Sequence, residues 1–341
     1  MEKLVNAMVI GSGTIGGEVM SRLSRASGWN LSCVVRNRTC RTGAFGDLQE
    51  PRAFDPASSQ FRNILKEEKP GVAFLAIPTR DHGEVALRYV LDLLESGAKI
   101  VTAEKGVAAW QFGQIAHYLD HIDFGAAVGG GNAFLYTLRR RHLRGKRVTI
   151  YAVLNATMNR ILSDVGSGMS LEKAARESSA LGFAEPLKPG ESPNPLTIFN
   201  GELVDITMKI CAFFNIVLSQ GEYIAPHRFQ PRTIDESDLR RLVSPNDRRR
   251  YVVTFTNDAN DADDDDDLIA PLRLKVDGFN VTAGFKSIRA GTFLSKWLPE
   301  GIDNGVLLYE DSHVYMYAGP GAGPATVDAM MAGAKELLRI E

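Results

Sequence analysis

The chain has 341 residues, 44% of them hydrophobic and 23% charged, with a formal net charge of −2. That length exceeds what one core readily organises and predicts two domains; the near-neutral charge excludes nucleic acid as the main partner. Three cysteines, Cys33, Cys40 and Cys211, show neither metal-ligand nor disulfide spacing, so no metal is expected and a reducing compartment is. No apolar run reaches the ~18 residues of a membrane span, and the N-terminus does not read as a signal peptide. The expected setting is cytoplasmic, with no membrane partner.

An apolar stretch, Leu4 to Ile10, reads as a buried strand and runs into Gly11-Ser-Gly13-Thr14-Ile15-Gly16. The helix that follows, Thr14 to Arg25, carries Ile15, Val19 and Leu23 at helical spacing. Gly11 permits the tight turn, Gly13 lets a pyrophosphate approach the backbone, and Gly16 lets helix and strand pack closely. Thr14 and Ile15 open the helix, whose amides and macrodipole favour an anion. This is the pattern of a dinucleotide site. The next strand, Leu31 to Val35, ends in Arg36-Asn37-Arg38, where a site reading NAD usually places an acid. Arg36 and Arg38 can hold a ribose 2′-phosphate, so NADP is expected, with NAD possible; the alternative is a decorated surface loop.

Residues 43–59 show no period and read as a loop. Gly71 to Ile77 is a buried strand ending in Pro78-Thr79-Arg80, Glu84 to Ser96 a helix, and Ala98 to Val101 a strand. This alternation predicts a doubly wound parallel sheet, with ligands beyond the carboxyl ends of its strands. Pro78, Thr79 and the segment Thr102 to Lys105 are therefore candidate walls of the site. Lys105 reads equally as a holder of a reacting oxygen and as a solvated lysine at a helix start. Gly129-Gly130-Gly131 suits close backbone approach, and the basic stretch from Arg139 to Arg147 reads as the wet face of an amphipathic helix.

Val148 to Leu154 is a strand and Asn155-Ala-Thr157-Met-Asn159 enters a helix. A further helix, Leu171 to Ser179, leads to Gly182-Phe-Ala-Glu185-Pro186 and a loop whose prolines, Pro195 included, exclude helix. From Glu202 to Val217 the spacing predicts a helix apolar almost all round, on which Asp205 and Lys209 share a face. Such a pair reads as buried and functional. Antiparallel strands are expected at Tyr251 to Thr256 and Leu272 to Val276, flanking an aspartate-rich hairpin tip (Asp261, Asp263 to Asp267), and at Val306 to Tyr309 and Val314 to Tyr317. The run Gly319 to Gly323 enters a last helix, Val327 to Leu338, so Gly321, Ala322 and Gly323 are read as returning to the nucleotide. The expected domains are 1–132 with 318–341 for the dinucleotide, and 133–317 for substrate and dimerisation.

In this order, Gly11-x-Gly13-x-x-Gly16, Val101-Thr-Ala-Glu-Lys105, Val128-Gly-Gly-Gly131, Leu154-Asn-Ala-Thr157-Met-Asn159, Gly182-Phe-Ala-Glu185-Pro186, Gly201-x-x-x-Asp205-x-x-x-Lys209, Asp303-Asn304-Gly and Gly319-Pro-Gly-Ala-Gly323 resemble the homoserine dehydrogenase family across nearly the whole chain. The resemblance implies an α/β protein: an N-terminal Rossmann-type sheet plus an α+β substrate domain whose open, largely antiparallel sheet pairs with a second subunit, giving a homodimer. It implies the short, monofunctional form and NAD(P)-dependent interconversion of aspartate 4-semialdehyde and homoserine, a small-molecule substrate. By the same resemblance Lys105 and Lys209 are catalytic and Asp205 orients Lys209. Glu185 fixes the substrate and Thr157 lines its site, with Asn155 and Gly182 beside them.

Three departures stand out. Leu187 to Asn200 lacks the family's aspartates, one of which helps hold the substrate amine. Phe183 replaces an aromatic hydroxyl, and Gly125 replaces a glutamate associated with a monovalent cation. The first of these keeps open a short-chain semialdehyde that lacks the amine or carries an extra anionic group near Lys188. A non-catalytic dinucleotide sensor is the alternative from another class; joint retention of Lys105, Glu185, Asp205 and Lys209 argues against it.

Overall fold

The computed structural model describes residues 4–37, 39–43, 49–50, 52–55, 59–132, 134–184, 194–229, 233–243, 248–258, 268–289 and 291–340. The chain forms two compact units: Met1–Tyr136 with Gly323–Glu341, and Thr137–Ala322.

The first part of the chain runs β1 (Val5–Ile10), α1 (Thr14–Arg25), β2 (Trp29–Arg36), β3 (Thr39–Thr42), β4 (Arg52–Ala53), α2 (Gln60–Glu68), β5 (Val72–Leu75), α3 (Glu84–Glu95), β6 (Lys99–Thr102), α4 (Gly106–Trp110), α5 (Phe112–Ile115), β7 (Ile122–Asp123) and α6 (Phe134–Arg140). Its sheet has the order β4-β3-β2-β1-β5-β6-β7. The five strands from β2 to β7 in that order are parallel. Their centre is apolar on both faces, as all four residues of β5 and the last four of β1 are buried; such strands need helices on each side.

The stretch read as a plain loop departs from expectation. After a left-handed turn at Asn37 (φ 53°) the chain doubles back as β3 and then β4, two antiparallel additions to the sheet edge. Asn tolerates that backbone, and Thr39 Oγ1 closes the turn by donating to the Arg36 carbonyl at 2.8 Å. The hairpin also places the buried Cys40 Sγ 3.8 Å from Cys33 Sγ, a neighbourhood that spacing in the sequence does not reveal.

The second unit contains β8 (Val148–Val153), α7 (Ala156–Gly166), α8 (Leu171–Ala180), α9 (Pro195–Val217), α10 (Glu236–Leu242), β9 (Arg249–Thr256), β10 (Ile269–Val276), β11 (Phe279–Ser287), α11 (Phe293–Trp297), β12 (Asp303–Glu310) and β13 (His313–Pro320). The closing helix α12 (Pro324–Leu338) belongs to the first unit, where Val327, Met330 and Ala334 join the core of Val9, Val19 and Phe74. The second sheet has the order β10-β11-β9-β8-β12-β13 and is antiparallel throughout. β9 and β10 are therefore not hairpin partners, as the sequence reading had them. The hairpin is β10 to β11, turning at Asp277 (φ 50°) and Gly278 (φ 82°), and β11 separates β10 from β9. An Asp-Gly dipeptide between apolar runs is the signal for such a turn. The Asp261 to Asp267 run lies outside the described residues.

Close packing also explains two glycines of the Gly129-Gly130-Gly131 run. A Cβ on Gly129 would lie 2.1 Å from the Phe134 ring, and one on Gly131 would lie 2.6 Å from Ala325 Cβ. These glycines thus admit the protein's own side chains.

Candidate active site

Helix α9 carries Glu202, Asp205 and Lys209, three charged residues of the candidate site in the second unit. It begins seven residues before the predicted start at Glu202, because Asn194 caps it, accepting from the Thr197 amide at 2.8 Å, and Pro195 occupies its first turn. Proline there lacks only an N–H that has no helical partner, so the ban on proline in helices does not apply. Aromatic packing holds the helix against the sheet: Phe199 on Phe285 (centroids 5.6 Å apart), Phe213 on Phe255 (4.9 Å) and Phe214 on Phe279 (6.0 Å). Buried rings of this kind contribute about 3–5 kcal/mol each when truncated to alanine.

On this fixed helix Lys209 Nζ donates to Asp205 Oδ2 at 2.7 Å, with the side chains 15% and 3% exposed. Glu202, 2% exposed, lies one turn earlier on the same face. Asn155, at the end of β8, joins them. Its Oδ1 accepts the Met158 amide at 2.8 Å and caps α7, while its Nδ2 donates to Glu202 Oε2 at 2.6 Å and Asp205 Oδ2 at 3.3 Å. The orientation of this amide follows from its neighbours, since reversing it would aim oxygen at two carboxylates and nitrogen at an N–H. Asn155, Asp205 and Lys209 were singled out from the sequence. Glu202 was not assigned a role, although its spacing from Asp205 and Lys209 (i, i+3, i+7) shows it on their face.

Thr157 is buried and its hydroxyl donates to the Phe183 carbonyl at 2.6 Å, tying α7 to the segment that begins at Gly182 (φ 73°). Glu185 lies outside the described residues. Asn159, two residues on, donates from Nδ2 to the carbonyls of Pro299, Gly301 and Asp303 at 2.9–3.2 Å and so holds the loop entering β12.

In the first unit the glycine turn is dictated by its own backbone. Gly11 has φ 99° and a Cβ there would lie 2.2 Å from the Ala76 carbonyl oxygen; a Cβ on Gly16 would lie 1.8 Å from the Gly11 oxygen. Gly13 differs: among the described residues, its chain neighbours aside, nothing lies within 4 Å of where its Cβ would be. The first turn of α1, with Thr14 exposed and Ile15 half-buried, has no capping side chain and no acidic residue. That leaves an N-terminus suited to an anion. Arg36 is exposed at the end of β2, and Arg38 lies outside the described residues. Pro78 and Thr79 follow β5, and Lys105, half-buried, precedes α4. Gly323 (φ 74°) starts α12 in this unit, whereas Gly321 and Ala322 fall in the other. There Gly321 is packed so tightly that a Cβ would lie 2.4 Å from Asn304 Nδ2.

Among the described residues no cluster of His, Cys, Asp or Glu has the arrangement of a metal site, and no helix is long and apolar enough to cross a membrane.

The homoserine dehydrogenase family model matches residues 134–332. The homoserine dehydrogenase of Sulfurisphaera tokodaii is 23% identical over 286 residues, 81% of this chain and 80% of that protein. Those of Neisseria gonorrhoeae and Mycobacterium tuberculosis are 29% and 33% identical over 194 residues; each match takes in 54% of this chain and 43% of the longer relative. Among solved structures, homoserine dehydrogenase from Thermoplasma acidophilum superposes with a TM-score of 0.72 at 19% identity, covering 99% of this chain and 100% of that one. A hyperthermophilic archaeal homoserine dehydrogenase in complex with NADPH gives 0.68 at 18%, covering 99% and 98%. The structural likeness establishes a Rossmann-type unit joined to a second, antiparallel one, and the sequence match runs over more than half of the chain: it belongs to the homoserine dehydrogenase family of oxidoreductases.

Proposed function

We propose that the protein reduces aspartate 4-semialdehyde to homoserine, and runs the reverse reaction, with NADP(H) as the preferred coenzyme and NAD(H) as a possible one. The observation that carries this reading is the buried Asn155–Glu202–Asp205–Lys209 network, supported by membership of the family. An ion pair this deeply placed adds little as a structural device compared with apolar residues of the same volume, and a dinucleotide sensor has no use for it.

The residues of the first unit fit the coenzyme. Gly11, Gly13, Thr14, Ile15 and Gly16 would hold the pyrophosphate, since the opening of α1 is uncapped and free of acid. Arg36 and Arg38 would hold the 2′-phosphate, and Pro78, Thr79, Lys105, Gly321, Ala322 and Gly323 would complete the site. When bound, NADPH supplies a hydride to the aldehyde carbon. Lys209 then donates a proton to the developing alkoxide oxygen, with Asp205 fixing the ammonium at 2.7 Å and Asn155 fixing Asp205. Lys105 is the second ammonium at the reacting oxygen, while Thr157, Gly182 and Glu185 bind the substrate. Domain roles follow the two units, the first for coenzyme and the second for substrate and dimerisation; a homodimer in the cytoplasm is the proposed working form.

The test is NADPH oxidation by the purified protein with aspartate 4-semialdehyde, run beside succinate semialdehyde and malonate semialdehyde. Turnover with aspartate semialdehyde alone is expected. Preference for an amine-free aldehyde would reject homoserine formation and keep the hydride chemistry, and no turnover with any aldehyde would favour the sensor. Coenzyme choice has its own test. Changing Arg36 to Asp and Arg38 to Gly is expected to weaken NADPH about 30-fold, the effect of losing one or two charge-assisted hydrogen bonds, and to leave NADH within about threefold. Unchanged NADPH affinity would discard the phosphate clamp.

A further inference from the structure

Glu104, in the segment read as a candidate wall of the site, is the one buried acid among the described residues of the first unit. Only 2% exposed, it accepts three hydrogen bonds: from the Gly106 amide at 2.6 Å, the Val107 amide at 3.0 Å and the Thr79 hydroxyl at 2.5 Å. Its own amide donates to Thr102 Oγ1 at 2.9 Å. All three donors to the carboxylate belong to segments that follow strands, where ligands of a doubly wound sheet bind. Thr79 comes from the segment after β5, and Gly106 and Val107 flank Lys105 on its C-terminal side.

The segment after β5 needs such a hold. Asp81 (φ 47°), His82 (φ 52°) and Gly83 (φ 81°) are consecutive left-handed residues, a conformation costing about 1 kcal/mol or more at each non-glycine position. It is kept by four contacts with the Lys105 segment and α4. Thr79 bonds Glu104, and Gly83 lies so close to Gly106 that a Cβ would come within 2.6 Å of the Gly106 carbonyl carbon. The His82 ring stacks on Trp110 at 4.3 Å, and Gln111 donates to the His82 carbonyl at 3.0 Å.

We propose that Glu104 is a positioning residue: its carboxylate ties the Thr79 turn to the backbone amides that directly follow Lys105 and so sets where the Lys105 ammonium stands. The proposal rests on the reading of Lys105 as a residue at the reacting oxygen. A carboxylate suits the task because all three of its partners are donors. Glutamine would keep the shape but turn an N–H toward one of them.

The experiment compares Glu104→Gln, Glu104→Ala and Lys105→Ala with the parent, using the aldehyde that the parent turns over fastest. Glu104→Gln is expected to lower kcat about 30-fold, as small misplacement of a reacting group does, with a smaller loss of NADPH affinity by fluorescence titration, since Thr79 and Lys105 are also read at the coenzyme. Amide hydrogen exchange in residues 105–108 should quicken. Glu104→Ala should lose more of kcat in the same sense; if it fails to fold, the glutamine variant decides. Parental kcat in Glu104→Gln would overturn the proposal, as would a lowered melting temperature with kcat of the folded protein unchanged. Parental turnover in Lys105→Ala would instead overturn the reading of Lys105, a distinct result, and the proposal would fall with it whatever the exchange data showed.

Discussion

Replacing Lys209 with methionine is expected to lower turnover of aspartate 4-semialdehyde about 10³-fold, the middle of the range for loss of a positioned proton donor. Methionine keeps the length of the side chain and removes the charge. The substitution also takes away the cation that Asp205 meets at 2.7 Å, in a site where that carboxylate is 3% exposed. Removing one member of a buried pair typically destabilises by about 3–5 kcal/mol, so a melting curve should fall too and, read alone, would confuse lost chemistry with lost fold. The double variant Asp205→Asn with Lys209→Met separates them. It leaves no buried charge from the pair and keeps an acceptor oxygen for Asn155 Nδ2, so its melting temperature should recover most of the loss. Its kcat should not. Recovery of both would reduce the pair to a structural contact, and near-parental kcat in Lys209→Met alone would remove Lys209 from the chemistry. NADPH binding should be unaffected in either variant.

How far the sequence carries can be judged from single elements. The strand, glycine turn and helix from Val5 to Arg25 are legible because each obeys a local rule: an apolar run, positive φ at Gly11, a helical stripe. The buried character of Asp205 and Lys209 is legible because nearly every other position on α9 is apolar. What escapes is non-local. β3 and β4 join the sheet by edge pairing, which no periodicity announces in so short a strand. The early start of α9 escapes because proline breaks a helix everywhere but in its first turn, and only the Asn194 cap puts Pro195 there. β11 escapes although Asp277-Gly278 marks its turn, because the aspartate run between β9 and β10 offers a competing hairpin tip. The role of Asn155 as the bridge between Glu202 and Asp205 depends on β8 and α9 meeting across about 50 residues of chain, as its hydrogen bonds record. Spacing within one element cannot supply that.

The glycine turn yields the second large effect, and it divides by position. Gly13→Ala is expected to leave the melting temperature within about 2 °C of the parent, or slightly above it, and to weaken NADPH about 10³-fold. The backbone of Gly13 has φ −72°, which alanine adopts without strain, and among the described residues its Cβ would meet no atom beyond its chain neighbours within 4 Å. Glycine to alanine at such a site stabilises by up to about 1 kcal/mol through the unfolded chain. The loss of affinity follows if a pyrophosphate occupies that space. A methyl group there would push the phosphates away from the amides of α1, and losing two hydrogen bonds to a charged group amounts to about 3–6 kcal/mol. Gly16→Ala should behave in the opposite way: its Cβ would stand 1.8 Å from the Gly11 carbonyl oxygen, so the strand and helix must separate and stability falls before any ligand is added. One variant therefore reports on the ligand and the other on the fold. If Gly13→Ala binds NADPH like the parent while Gly16→Ala unfolds, the glycines serve helix packing alone and the phosphates lie elsewhere; if Gly13→Ala folds normally and loses the coenzyme, the open space above Gly13 is where the pyrophosphate sits.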